Sequence, residues 1–516
     1  MKFFVLYILF FLHLITQAQT VSINIDWSNL VRSIPDYAYG VNSSANFIPS
    51  YSNDVLFMGN LDRITQKKGF VRLHGWGMLG GSPESWQTNG VWDTVKINQA
   101  LSPLVAQGYK VMINIPSGFN GEEDYQDAQA FAQFCADLVQ IVNIDNQFGI
   151  EYWEIPNERE QGFAVPGLSV NRMASFINTA SLAMKAVDPT IKVGGSATAW
   201  VNVDYLTQLT QATFPNIDFI TCHTYSGDCT NSLENAYDIA QFAVSDLALL
   251  RQNINTITNG SYLPIFLTEY NISYQGCANI QSNNGAVYDA IIMTESIKSG
   301  IDATCYWNVA PYSDMSVMDG NQLDGNAYLY EIFNTSFYGN LVESNSSENS
   351  KVLVYATINQ SANSYSFCLI NRTALLQSVQ LQMEELLPIN LERHLWDAQN
   401  DYFTESTNWS NLNDGTINLS PYSVNLFVGE LNTLNVIDIE DNDNTILFPN
   451  PNNGMIYISN RDNINKIQIF SHSSVLVKSE NGENDYLDIK DLSLGVYFVK
   501  MTYKTGKVTI TKMIKN

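Results

Sequence analysis

A regular alternation of short apolar runs with longer helical patterns, from residue 20 to residue 340, limits the fold of this chain more than any other feature. Runs rich in Val, Ile, Phe and Tyr are typical of buried strands, and apolar residues spaced three or four apart predict the helices between them. Eight such runs cover residues 37–42, 70–74, 110–115, 150–158, 192–197, 218–225, 264–271 and 303–309. This pattern predicts an α/β fold, a closed (β/α)8 TIM barrel, rather than an open doubly wound sheet.

The 516 residues exceed what one compact core accommodates, which predicts two or three domains. After residue 340 the helical patterns stop and alternating strands continue, so residues 341–432 are predicted to form an accessory C-terminal β-sandwich. An acidic linker follows at 433–445, and residues 446–516 are predicted to form a small all-β domain. The barrel itself is assigned to residues 20–340.

The N-terminal segment, residues 1–19, predicts export. Lys2 gives a positive start, an apolar stretch follows to Ile15, and Ala18 offers a small residue for cleavage, which together indicate a secretory signal peptide. No later stretch reaches about 18 consecutive apolar residues, so no membrane span is predicted in the mature protein. The formal net charge of −25 argues against nucleic acid and anionic membranes as partners, because both require clustered Lys and Arg.

Two of the predicted strands end in a carboxylate. Glu158 closes the fourth run, and Glu269 lies near the end of the seventh. In a parallel barrel the carboxyl ends of all strands meet at one rim, and glycosidic bonds are cleaved by a pair of carboxyl groups. Glu158 and Glu269 are therefore predicted to be catalytic. Glu154, four residues deeper in the same run, is interpreted as structural and paired with a barrel Lys or Arg, and Glu160 as a solvated loop residue.

Six further side chains fall at strand ends and are predicted to bind the substrate or to support the two carboxylates. An arginine beside a carboxylate keeps it ionised, a tyrosine on the sixth strand can hold Glu269, and an aromatic ring offers a surface on which a sugar stacks. A buried ion-pair anchor remains the alternative for the arginine, and a core position for the tryptophan. The six residues are Arg72, His74, Asn157, His223, Tyr225 and Trp307.

No cofactor and no metal ion is predicted for this site. Of the five histidines only His74 and His223 fall at barrel strand ends, on separate strands and without an HExxH pattern. No glycine-rich phosphate loop interrupts the first units, and no G-x-S-x-G serine elbow occurs. Calcium binding by the acidic segments 231–238 and 441–444 stays open.

The six cysteines follow no metal-ligand spacing. Cys222, Cys305 and Cys368 lie in strand-like runs and are interpreted as small buried hydrophobic residues. Cys229 and Cys277 each follow a predicted strand end, in polar loops at the same end of the barrel. In an oxidising compartment this position allows a disulfide between them, and the sequence leaves that pairing open.

Five short motifs at these strand positions resemble those of clan A retaining glycoside hydrolases, and most closely those of family 39, the β-xylosidase and α-L-iduronidase group. The resemblance covers about residues 35–335 and implies Glu158 as the acid/base and Glu269 as the nucleophile, with the polar strand-end residues as their supporting shell. The sequence departs from the family at Arg159, where a proline commonly follows the Asn-Glu pair. The motifs are Arg72-Leu-His74-Gly75, Trp153-Glu-Ile-Pro-Asn157-Glu158, Lys192-Val-Gly-Gly, Asp218-Phe-Ile-Thr-Cys-His223-Thr-Tyr225 and Leu267-Thr-Glu269.

Residues 446–516 resemble the C-terminal sorting domain of the type IX secretion system. The opening Leu447-Phe-Pro-Asn-Pro and the Gly495-Val-Tyr near the end carry this resemblance. It implies the type IX secretion machinery as a partner, removal of the domain during export, and a mature protein that is secreted or held at the outer cell surface.

The resemblances together imply a secreted retaining glycoside hydrolase that cleaves plant or algal poly- or oligosaccharides by double displacement. Such an enzyme is of the xylosidase/arabinosidase type or endo-acting, and the sequence leaves the sugar and the mode of action open. Glu269 is expected to be ionised and Glu158 protonated, with their carboxyl groups about 5 to 5.5 Å apart. The alternative is a non-catalytic glycan-binding surface protein built on a degenerate barrel.

Overall fold

In the computed structural model of the chain, residues 1–432 and 433–516 form two compact units. The predicted signal peptide, 1–19, and the predicted linker, 433–445, lie outside the residues that the structure describes. The described residues are 20–44, 54–74, 86–88, 91–115, 127–161, 167–309, 313–319, 322–383, 391–407, 416–430, 447–448, 452, 454–458, 464–471, 476–481, 486–504 and 508–515.

The first unit contains a closed barrel of eight parallel strands, which confirms the predicted α/β barrel. The strands follow one another round the barrel in sequence order, and the eighth closes it by pairing Thr304 with Tyr39 of the first. The carboxyl ends of all eight therefore lie at one rim. The barrel strands are Tyr39–Ser44, Phe70–His74, Lys110–Asn114, Tyr152–Glu154, Lys192–Thr198, Phe219–Tyr225, Ile265–Asn271 and Ala303–Tyr306.

The fourth barrel strand is shorter than predicted. The apolar run spans residues 150–158, but the strand covers only Tyr152–Glu154. Pro156 has no N–H to continue the ladder, although the N–H of Glu158 still donates to the carbonyl of Ala197 (2.9 Å). Glu158 therefore lies on the loop beyond the strand rather than on the strand itself.

Helices connect the barrel strands, and none of those that the structure describes is long and apolar enough to cross a membrane. Three of them begin at an aspartate, Asp54, Asp93 or Asp127, whose carboxylate accepts two backbone N–H groups of the first turn. The third continues into a π-helical segment, Gln140–Asp145. The α-helices are Val55–Thr65, Thr94–Ala106, Ala128–Val139, Val170–Val187, Val203–Thr213, Leu233–Ile257, Asn283–Lys298 and Ala327–Ser336.

A group of charged side chains, called here the lower network, lies at the end of the barrel opposite the rim formed by the carboxyl ends of the strands. Asp302 precedes the eighth strand and accepts hydrogen bonds from Arg32 Nη2 (2.7 Å), Arg251 Nη2 (2.8 Å) and the N–H of Ile265 (3.0 Å). The hydroxyl of Tyr262 donates to the same carboxylate. Two guanidinium groups thus share one buried carboxylate, and this contact ties the N-terminal strand, a helix and two barrel strands together.

A nine-stranded sheet completes the first unit. The N-terminal strand Val21–Ile34 lies inside this sheet, antiparallel to Gly339–Ser346 and parallel to Gln377–Met383. From one edge to the other the strands are Asn400–Thr407, Leu391–Asp397, Ser423–Glu430, Ser364–Asn371, Val352–Asn359, Gly339–Ser346, Val21–Ile34, Gln377–Met383 and Thr416–Leu419.

The sheet is one continuous ladder, although a sandwich was predicted. Leu391, near one edge, and Ile417, at the other, belong to the same buried core as Val21. The opposite face of the sheet packs on the barrel, where the hydroxyls of Tyr355 and Tyr39 are 2.8 Å apart. The sheet therefore has a buried core of its own on one face and the barrel on the other.

The second unit contains two small antiparallel sheets. Ile456, Ile467, Leu487, Val499 and Met513 belong to its buried core. The three-stranded sheet contains Leu447–Phe448, Met455–Ile458 and Tyr486–Asp488 in this order. The four-stranded sheet contains Leu476–Asn481, Ile464–Ser471, Gly495–Tyr503 and Val508–Lys515 in this order.

Candidate active site

Arg72, fully buried on the second barrel strand, is the centre of a group called here the upper network. Its Nη1 donates to Glu269 Oε1 (2.8 Å) and Asn42 Oδ1 (2.8 Å), its Nε to Glu154 Oε2 (2.7 Å) and its Nη2 to Asn157 Oδ1 (2.9 Å). One guanidinium is therefore shared by two buried carboxylates. The interpretation of Glu154 as a structural partner of a barrel arginine is confirmed, and Arg72 is both an ion-pair anchor and a neighbour of Glu269.

Three residues of the upper network were not predicted. Thr268 donates its hydroxyl to Glu154 Oε1 (2.7 Å), and Asn114 Nδ2 donates to Glu154 Oε2 (2.8 Å). Asn42 holds Arg72 with its amide oxygen and donates Nδ2 to the carbonyl of Thr268 (2.8 Å). Each lies at the end of a predicted run, which was the available signal, but small polar residues are common at such positions.

Glu269, on the seventh strand, is 5% exposed and surrounded by donors. The Tyr225 hydroxyl donates to its Oε2 (2.7 Å), as predicted, and Arg72 donates to its Oε1. His223 Nδ1 lies 3.6 Å from Oε2, and His74 Nε2 lies 3.7 Å from Oε1. Four of the predicted residues therefore converge on this one carboxylate.

Glu158 reaches the same place from the loop beyond the fourth strand. Its Oε1 lies 2.7 Å from His223 Nδ1, and its side chain is 24% exposed. The loop packs closely on the fifth strand: a Cβ on Gly195 would lie 1.9 Å from the carbonyl oxygen of Ile155. The Lys192-Val-Gly-Gly motif is therefore required for the close approach that positions this loop.

The two carboxyl groups face each other across His223. One oxygen of Glu158, one oxygen of Glu269 and one ring nitrogen of His223 all lie within 4.8 Å of one another. A divalent cation could bridge these three atoms, but the hydrogen bond between Glu158 and His223 already accounts for their spacing. The spacing of these three atoms is therefore not in itself an indication of a metal ion.

The electrostatic environment differs between the members of the site. Burial raises the pKa of Glu269, while the charges of His223 and Arg72 act to lower it. Burial lowers the pKa of His223, but the adjacent Glu269 and Glu158 carboxylates outweigh this effect and raise it above its usual value. For His74, burial and the charge of Arg72 both lower the pKa, so this imidazole is neutral.

Trp307, the predicted sugar platform, lies half-buried at the end of the eighth strand. Its ring meets the ring of His74 edge to face, with centroids 4.9 Å apart and planes at 81°. His74 in turn approaches Glu269. Trp307 therefore belongs to the wall beside Glu269, and its partial exposure distinguishes it from a core residue.

The interpretation of Glu160 as a solvated loop residue is wrong. Its Oε1 accepts the backbone N–H of Ala199 (2.7 Å) and the side-chain amide of Gln161 (3.1 Å). Burial raises the pKa of this carboxyl group. Glu160 therefore connects the Glu158 loop to the segment after the fifth strand. Because the two partners are distant in sequence, local sequence patterns do not predict this contact.

Two of the predicted features lie outside the described residues. They are Gly75 of the Arg72–Gly75 motif and the acidic segment 441–444. In the acidic segment 231–238, Asp238 pairs with Arg372. This carboxylate therefore serves as an ion-pair partner.

Residues 140–324 match the family model described as "Glycosyl hydrolases family 39". This segment of the chain is similar to the family 39 glycosyl hydrolases. The match includes Glu158, His223 and Glu269, whereas Arg72 and His74 precede it. A second model, described as "Secretion system C-terminal sorting domain", matches residues 446–516. Both resemblances drawn from the sequence are confirmed, and the sorting domain directs the chain to the cell surface or the medium.

Among curated proteins the chain is similar to the intracellular exo-α-(1→5)-L-arabinofuranosidase 1 of Bacillus subtilis (strain 168), with 21% identity over 201 residues. The alignment covers 36% of this chain and 40% of that protein, so less than half of the relative's length is matched.

Two solved structures share the fold of the first unit. The α-L-arabinofuranosidase from Thermotoga maritima, in an arabinose complex, has a TM-score of 0.62 at 13% identity and is aligned over 80% of this chain and 100% of that one. A monomeric β-xylosidase from Caulobacter crescentus CB15 has a TM-score of 0.55 at 15% identity, over 80% and 99% of the two chains. At such identities the likeness is one of fold.

Proposed function

We propose that this protein is a secreted glycoside hydrolase that retains the anomeric configuration, with Glu269 as the nucleophile and Glu158 as the acid/base. The observation that carries the proposal is the separation of the two carboxyl groups, which brings an oxygen of each within 4.8 Å of the other. Retaining enzymes place the pair about 5 to 5.5 Å apart, whereas inverting enzymes need about 6.5 to 9.5 Å for an intervening water.

In the first step a carboxylate oxygen of Glu269 bonds to the anomeric carbon as the bond from that carbon to the leaving oxygen breaks. Glu158 transfers its proton to the leaving oxygen. In the second step Glu158 removes a proton from water, the water oxygen bonds to the anomeric carbon, and the ester to Glu269 is cleaved. Glu158 regains its proton, so the enzyme returns to its starting state.

The contacts of the two carboxyl groups support this division of roles. Glu269 is buried and accepts hydrogen bonds from Arg72 (2.8 Å) and Tyr225 (2.7 Å), which stabilise a nucleophilic carboxylate. Glu158 is the more exposed of the two and contacts His223 (2.7 Å), which suits a group that exchanges protons with the leaving oxygen and with water.

The remaining residues serve the sugar. Arg72 occupies the amide oxygen of Asn157, which leaves the Asn157 NH₂ group as a donor for a sugar hydroxyl. Trp307 offers a half-exposed ring beside Glu269. The similar proteins are named as α-L-arabinofuranosidases and a β-xylosidase, so we propose pentosyl groups of plant or algal poly- or oligosaccharides as the first substrates to test.

The glycan-binding alternative requires a barrel that has lost its chemistry. Glu269 is buried among charged and polar partners, and Glu158 is hydrogen-bonded to His223. Burying such ionisable groups costs folding free energy, so they are expected where their chemistry is used. This argues for the enzyme.

The test uses Glu269→Ala and Glu158→Ala with aryl α-L-arabinofuranosides and β-D-xylosides. Glu269→Ala should lose at least about 10⁴-fold in kcat/KM, and azide should then give a glycosyl azide of inverted configuration. Glu158→Ala should keep activity on dinitrophenyl glycosides, which need no proton for departure, and azide should give a product of retained configuration.

Glu151→Ala is the matched control, because Glu151 directly precedes the fourth strand, at the other end of the barrel, with its side chain 42% exposed. Its kcat/KM should stay within about twofold of the wild-type value. Inverted products from the wild type would exclude retention, and binding without turnover across the panel would favour the glycan-binding alternative.

A further inference from the structure

Cys229 and Cys277 differ from the other four cysteines. Cys135, Cys222, Cys305 and Cys368 are fully buried in apolar cores, whereas Cys229 is exposed and Cys277 is partly exposed. Both are thiols in this structure, and both line one small surface cavity beside the catalytic rim. Two accessible thiols in one cavity need a separate explanation.

The two thiols lie close together although 48 positions separate them, since both line the same cavity. Cys229 Sγ lies 3.5 Å from Ser273 Oγ. It also lies 3.4 Å from the carbonyl oxygen of Gly276, the residue before Cys277. The loop that carries Cys277 therefore already packs against the Cys229 sulfur, the closeness that a disulfide requires.

We propose that Cys229 and Cys277 form a disulfide in the exported protein, and that this bond clamps the loops that follow the two strands carrying Tyr225 and Glu269. Cys229 lies four residues after Tyr225, and Cys277 lies eight residues after Glu269. The loops already touch, since the N–H of Tyr274 donates to the carbonyl of Gly227 (3.0 Å). The covalent bond would hold the two loops together beyond the strand ends, and so would help to maintain the hydrogen bond between Tyr225 and Glu269.

The oxidant is a disulfide of the thiol–disulfide exchange class, supplied by an oxidising compartment on the export route that the sorting domain indicates. The exposed Cys229 thiolate attacks the oxidant disulfide, which forms a mixed disulfide and releases one thiol that takes up a proton. The Cys277 thiolate then attacks Cys229 Sγ and releases the second oxidant thiol. Two electrons and two protons pass to the oxidant. Burial raises the pKa of the Cys277 thiol, which suits it to act second.

The experiment counts thiols in the protein recovered after export and denatured without reductant; all six cysteines precede the sorting domain. Four alkylated cysteines are expected, together with one peptide pair linked through Cys229 and Cys277. The same chain produced in a reducing cytoplasm should give six alkylated cysteines, and oxidised glutathione should convert six to four. Six thiols in the exported protein, or a link that involves a core cysteine, would overturn the proposal.

Variants test the clamp independently of the thiol count. Cys229→Ser, Cys277→Ser and reduction of the wild type should each lower the midpoint of thermal unfolding by about 5 °C, and reduction should not lower it further in the variants. Cys277→Ser leaves an exposed thiol and should form mixed disulfides more readily than Cys229→Ser. A midpoint that does not change on reduction of the wild type would contradict the clamp.

Discussion

The upper and lower networks bury the same kinds of charge in opposite proportions. In the upper network one arginine, Arg72, serves Glu154 and Glu269, with a third carboxylate, Glu158, close by. In the lower network two arginines serve the single carboxylate of Asp302. Within the upper network, burial raises the pKa of Glu269 while His223 and Arg72 act to lower it. Several carboxylates around one guanidinium are the arrangement expected of a site that transfers protons, whereas two guanidinium groups on one carboxylate are the arrangement expected of an anchor.

The comparison is tested most strongly by Arg72→Met. This change leaves Glu154 and Glu269 buried without their cation, so we expect a loss of about 3 to 5 kcal/mol in the free energy of unfolding. We also expect kcat/KM to fall by at least about 10³-fold, because Glu269 loses its charged donor. Urea denaturation and steady-state kinetics measure the two effects.

The double variant Arg72→Met with Glu154→Gln is the control. Removing the second charge should restore part of the unfolding free energy and none of the activity. An Arg72→Met variant that keeps wild-type activity would show that the shared arginine is only an anchor.

Asp302→Asn makes the corresponding change in the lower network. Arg32 and Arg251 lose their common carboxylate, so the free energy of unfolding should fall by about 3 kcal/mol. The kcat/KM of the folded enzyme should stay within about twofold of wild type, because the network lies at the opposite end of the barrel. A large loss of activity per folded molecule would mean that the two ends are coupled.

Each network also contains a tyrosine hydroxyl on a carboxylate, which gives a matched pair. Tyr225→Phe removes a charge-assisted hydrogen bond from Glu269 and should lower kcat/KM by about 10- to 100-fold. Tyr262→Phe removes the corresponding bond from Asp302 and should change only the unfolding free energy, by about 1 kcal/mol. Equal effects of the two variants on kcat/KM would contradict the conclusion that only the upper network takes part in catalysis.

The smallest effect is expected in the pH profile. Glu269 must be ionised, and because its pKa is raised above 4.5, kcat/KM should fall as the pH decreases through a value above 4.5. His223 faces both carboxylates, and because its pKa is raised above 6.5, it should lose its proton, and activity should fall, as the pH increases through a value above 6.5. A basic limb below pH 6.5 would contradict this assignment.

The sequence predicted the barrel well because its signal is local. The strand Phe70–His74 has the predicted bounds, since all five of its residues are buried and apolar runs report burial directly. The fourth strand was overestimated, because an apolar run continued past the point where the ladder ends. Apolar character reports burial and does not distinguish a strand from a buried loop.

The sequence predicted the grouping of Arg72, Glu158 and Glu269, because charged residues are rare at the ends of apolar runs and the structure brings these three together. Asn42 was missed because its importance arises from Arg72, 30 positions later, and from carbonyls on other strands. Glu160 was misjudged for the same reason, since its partner is the N–H of Ala199, 39 positions later. Residues whose roles depend on a partner distant in sequence carry no pattern of their own.

The strand Val21–Ile34 has a consequence for how the protein is made. It lies between two strands that are synthesised only after the whole barrel. The strand therefore cannot pair on both sides until the ribosome has passed residue 383. A shortened gene that starts at residue 35 would leave the two neighbouring strands without their partner. Their unpaired backbone edges would then favour pairing with other chains and aggregation. The first unit therefore has to be expressed with the strand Val21–Ile34 attached, even though this strand lies outside the barrel.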